Sequence, residues 1–126
     1  MSYFIQTDHE LKLIRYAHAG ILRVNDIGKA WEDFLHMEEF TLGRYNLLSD
    51  YRMARFDASK EDVEFILSFM YGIRDIVRGK KQALLLNDPA STALSMLFES
   101  RVNKEVGFVV KLFFTEKSAL DWLTNP

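Results

Sequence analysis

Four consecutive apolar residues, Ala83-Leu84-Leu85-Leu86, constrain the fold more than any other part of this chain. A strand with one wet face alternates apolar and polar residues, and a buried helix runs longer than a single turn. An unbroken short run is the signature of a parallel strand in the middle of a sheet, with helices in front and behind. Its flanks supply those helices. Upstream, Gly79 stops a helical pattern just after Arg74 and Arg78, cations that suit a helix carboxyl terminus. Downstream, Asn87-Asp88-Pro89 opens another helix, with Asp88 as N-cap and Pro89 at its first position. Ala90, Ala93, Leu94, Leu97 and Phe98 are its expected buried stripe.

The rest of the chain fits round this strand. Residues 3–8 and 11–17 are rich in β-branched and aromatic side chains and are separated by Asp8-His9-Glu10, which predicts an opening antiparallel hairpin. Ile27, Ala30, Trp31, Phe34 and Leu35 recur at helical spacing, with Asn25 as expected N-cap. Residues 38–45 read as a connection, 46–50 as a short strand, and the chain up to Ala58 as a loop. Ser59 and Asp62 form a variant capping box before the stripe Val63, Ile66, Leu67, Met70, Ile73 and Val77, widened by Phe65, Phe69 and Ile76. This helix is expected to be the longest. Residues 108–113 read as a last strand, and Thr115 caps a short final helix burying Ala119, Leu120 and Leu123. The order β-β-α-β-α-β-α-β-α predicts a single α/β domain: a mixed, mostly parallel sheet of about five strands with about four helices, joined by right-handed crossovers.

Composition narrows the function. With 16 basic against 18 acidic side chains the net charge is −2, so no overall positive field gathers nucleic acid. The absence of cysteine excludes disulfides and thiolate metal ligands, and points to the cytoplasm. The amino end reads as a strand rather than a signal peptide, and no apolar run approaches the roughly 20 residues that span a bilayer. Six scattered glycines form neither a Walker loop nor a dinucleotide fingerprint, and there is no Gly-x-Ser-x-Gly elbow. His36 stands near Glu32, Asp33 and Glu39, which reads as a solvated helix face rather than a metal site. No cofactor, metal or catalytic set is expected.

Two groups of residues are candidates for binding. In open α/β sheets the strand carboxyl ends form the ligand crevice, and here they carry Asp50, Asn87 and Asp88, with Ser91 and Thr92 on the helix that follows. The plainer alternative is that Asp88 is only a cap and Asp50 only a turn acceptor. Phe40, Tyr45, Tyr51 and Phe56 lie in the expected connections round the third strand, where they line a partner surface or an apolar pocket, or pack beneath the loop.

The element order resembles the STAS fold, and several segments look like its SpoIIAA-like branch. They are the opening hairpin, Asn46-Leu47-Leu48-Ser49-Asp50, the apolar run entering Asn87-Asp88-Pro89, and the ending from Phe113-Phe114-Thr115 to Asp121-Trp122-Leu123. The resemblance implies a bacterial, cytoplasmic regulatory or scaffolding module that binds a protein partner or a second copy of itself, not an enzyme. Partner-switching members carry an Asp-Ser-Ser-Gly motif whose serine is phosphorylated; the tetrapeptide is not present, and Ser59 is its nearest equivalent by position. A second expectation, by analogy with CRAL-TRIO domains, is a carrier of a small apolar or anionic, lipid-like ligand.

Overall fold

The computed structural model describes residues 2–125. Among them the apolar run forms β4 (Lys81–Leu85), with Leu86 continuing past it. β1 (Ser2–Asp8) and β2 (Leu13–Leu22) make the hairpin, and β3 (Asn46–Phe56) and β5 (Val109–Phe113) flank β4. The strands form one sheet in the order β1-β2-β3-β4-β5, with β1 antiparallel to β2 and every other pair parallel. Six helices join them: α1 (Val24–Leu35), α2 (Glu38–Thr41), α3 (Lys60–Gly72), α4 (Arg74–Val77), α5 (Pro89–Glu105) and α6 (Glu116–Thr124).

β4 is buried on both faces, as its composition demands. Leu84 and Leu86 point into the larger core with Trp31, Phe34, Leu67 and Val102, whereas Ala83 and Leu85 meet Leu13, Leu48, Ala119 and Leu123 on the other side. Each fully buried leucine of this run contributes about 1.5–3 kcal/mol. The cover is uneven. α1, α3 and α5 pack on one face, and α6 alone caps the other, so the carboxyl halves of β2 and β3 are bare there.

Several local expectations are corrected. β3 does not end at Asp50; it runs on to Phe56, pairing with β2 from Ala19↔Met53 to Leu22↔Phe56 beyond a register shift. No glycine or proline interrupts Tyr51-Arg52-Met53-Ala54-Arg55-Phe56, and Tyr51 and Ala54 both bury against the helices. α1 starts two residues earlier than expected, with Arg23 rather than Asn25 as N-cap, because the Asp26 carboxylate accepts from the Arg23 N–H at 2.9 Å. The expected connection at 38–45 contains the one-turn helix α2.

The helix opened by Ser59 also breaks after Gly72, where Ile73 leaves helical geometry and α4 begins. Glycine in a helix interior costs about 1 kcal/mol relative to alanine, which makes this the weak point. The 17-residue α5 is therefore the longest helix. Its buried face differs from the expected one as well: Ser91, Ser95 and Val102 are buried, while Ala90 and Ala93 are exposed.

Candidate functional site

The strand-end residues do not converge on one site. Asn87, Asp88 and Thr92 do share an open concavity with Leu86, Met96 and Phe114. Asp88 caps α5, its carboxylate accepting from the Ser91 N–H at 3.0 Å, and Thr92 Oγ1 donates to the Asp88 carbonyl at 2.7 Å. Hydrogen bonds from the Ser91 backbone and side chain hold the Asp88 carboxyl below the usual carboxylate range. Ser91 is buried, and its Oγ accepts from the Phe56 N–H at 3.3 Å, docking the end of β3 on α5.

Asp50 lies elsewhere. Because β3 continues past it, Asp50 is a mid-strand residue on the face covered by α6, where Arg52 grips it bidentately at 2.8 and 2.9 Å. Burial pushes its carboxyl up, but the Arg52 hydrogen bonds outweigh this and hold it below the ordinary value. Glu116 at the start of α6 reaches both Arg52, at 3.6 Å, and Arg15, at 3.9 Å, and Arg15 reaches Asp8. This chain of charges ties α6 to three strands.

The four aromatics do not form one exposed surface. Phe40 is fully buried and Tyr51 is 6% exposed. α2 turns Phe40 into contact with Trp31, ring centroids 5.6 Å apart, and the extended β3 aims Tyr51 and Phe56 at the helices, their rings 5.2 Å apart. Tyr45 is half-buried, with its hydroxyl 3.0 Å from His9 Nδ1. Ser59 is exposed and caps α3 in a reciprocal box with Asp62. His36 Nδ1 lies 2.7 Å from the Glu32 carbonyl. Among the described residues no three His, Asp or Glu side chains are grouped so as to hold a metal ion, and no helix is long and apolar enough to cross a membrane.

Two of those aromatics do line a pocket. Between the sheet and α1, α3 and α5 lies a partly enclosed chamber of about 60 Å³. Tyr51, Phe56 and Leu84 form its sheet wall; Trp31, Ile66 and Met70 face them from α1 and α3. α5 contributes Leu94, Phe98 and Ser95, and β4 contributes Gln82, whose Nε2 donates to Ser49 Oγ at 3.0 Å. Burial pushes the Tyr51 phenol up, with Ser49 hydrogen-bonding to it in opposition. A smaller chamber of about 40 Å³ adjoins, sharing Ile27, Trp31, Ile66 and Met70 and reaching exposed Phe65 and Phe69.

Reasoning from the sequence missed Gln82 and Ser95 as pocket residues; for Ser95 the local signal is its place one helical turn after Ser91, hidden by the stronger apolar stripe beside it. It also missed Lys80, which is buried at the foot of β4 and donates to the Phe40 carbonyl.

No family model matches the chain, and no curated protein matches it. Among known structures, an uncharacterized protein of the DUF3478 family from Shewanella loihica PV-4, described as having a SpoIIAA-like fold, superposes with a TM-score of 0.57 and 18% identity. The match covers 97% of this chain and 92% of that one. Sheet order, hairpin and crossover helices agree with the resemblance drawn from the residues: this chain has a SpoIIAA-like α/β fold.

Proposed function

We propose that the chain is a non-catalytic binding module of STAS-like type, working in the cytoplasm, whose ligand is a small apolar molecule held between the sheet and α1, α3 and α5. The chamber carries this reading: it is a concave, mostly aromatic and aliphatic space with a few polar groups, the ordinary make-up of a small-molecule site. The concavity at the strand ends is less suited to an anion, since its lining includes the Asp88 carboxylate and no cation. Ile66→Phe fills the chamber. Mass spectrometry of organic extracts is expected to find a small molecule enriched in the wild-type protein and lost from the filled variant; identical extracts would count against the reading.

Docking of a protein partner or of a second copy is the other reading, and a different surface favours it. On the bare half of the sheet the register sets Phe4 opposite Ala17 and Met53 beside Ala19, with Ile21 two residues on. Met53 is 76% exposed and Phe4 and Ile21 are more than half exposed, an apolar patch of the kind used for contacts.

A further inference from the structure

On the reading that the chamber binds a ligand, we infer that Ser95 is its polar anchor and that the chamber selects a small neutral molecule carrying one hydroxyl or carbonyl group, and rejects its carboxylate counterpart. Among the described residues Ser95 Oγ is the buried side-chain nitrogen or oxygen atom without a hydrogen-bond partner. Serine and threonine inside helices usually turn back on the preceding turn. Thr92 does so in the same helix, donating to the carbonyl four residues before it, and Thr41 and Thr124 do so in theirs. Ser95, a residue of the chamber wall, makes no such bond.

A buried hydroxyl without a partner costs about 1–3 kcal/mol, and a ligand that pairs with it recovers the hydrogen bond. Hydroxyl oxygen both donates and accepts, so Ser95 serves an alcohol or a carbonyl equally. A carboxylate is different. None of the lining residues is charged, and burying an anion without a counter-charge costs several kcal/mol. Size is the other filter. A cavity that holds benzene measures about 150 Å³; a chamber of about 60 Å³ and its neighbour of about 40 Å³ fall short of that even together, so one small ring enters only when a side chain between them moves aside. Met70, flexible and shared by both spaces, is the side chain that must yield.

Calorimetric titration of the full chain with phenol, benzene and benzoate, in the wild type and in Ser95→Ala, tests this. Phenol is expected to bind the wild type about 2- to 10-fold more tightly than benzene, and benzoate not to bind saturably. In S95A phenol falls to the level of benzene while benzene holds its affinity, which also shows that the variant is folded with its chamber intact. S95A is expected to melt about 3 °C or more above the wild type, because it removes the unpaired hydroxyl. Unchanged phenol affinity in S95A, or benzoate binding as tightly as phenol, overturns the anchor and its selectivity while leaving the chamber reading in place. Failure of both phenol and benzene to bind the wild type removes the chamber reading itself.

Discussion

Lys80 Nζ donates to the backbone carbonyl of Phe40 at 2.5 Å and sits 4.7 Å from the centre of the same residue's ring. The pair joins α2 to the foot of β4; Lys80 is 2% exposed, and among the described residues no carboxylate pairs with it. Burial, with the nearby Arg44 charge, pulls the Lys80 pKa down to about 8.

A pH dependence follows from that depressed value. Between about 8 and the unfolded value near 10.5, the unfolded chain holds more protons than the folded one, so stability rises with pH across that window. Lys80→Met has no group to titrate there. Denaturant melts of both proteins at pH 7.5 and 10.5 are expected to show the wild type gaining on K80M by about 1–2 kcal/mol, a figure reduced for solvent screening. A constant difference would mean that Lys80 does not lose its charge in the fold.

Asp88 follows the same sign in the acid range. Its folded carboxyl lies below the unfolded value, so its capping contribution is full above the unfolded pKa and fades as pH falls through the folded one. Asp88→Ala is expected to cost about 0.5–2 kcal/mol at pH 7. Asp88→Asn keeps a cap that does not titrate, so the wild type should lose stability relative to D88N in acid, measured by urea melts from pH 6 to 2.

The centre of the sheet is the most sensitive position. Leu84→Ala opens a cavity in a strand covered on both faces and is expected to cost about 2–5 kcal/mol. Met53→Lys, on the bare half of the sheet, changes stability little. If a second copy covers that patch, M53K lowers the mass found by light scattering from dimer to monomer; an unchanged mass in both proteins removes the patch as a self-association surface.

The architecture was legible because burial writes itself into composition. Leu84 and Leu86 could not face water, and the caps Asp88, Ser59 and Thr115 marked helix starts that the structure keeps. The length of β3 was not legible, since its second half is held by pairing with β2 across a register shift that no local pattern announces. That one extension places Asp50 in mid-strand, apart from the concavity that Asn87, Asp88 and Thr92 line, and turns Tyr51 and Phe56 inward to line the chamber rather than a surface. Ser95 was invisible for a related reason: its meaning lies in what fails to contact it, and that depends on how closely α5 approaches the sheet.

Methyl-resolved NMR during titration with benzene tests the central claim most directly. Shifts confined to Ile27, Ile66, Met70, Leu84 and Leu94, saturating with one site, are the predicted result. Shifts at Ile21 and Met53 alone, or none that saturate, would contradict a ligand chamber between the sheet and its helices.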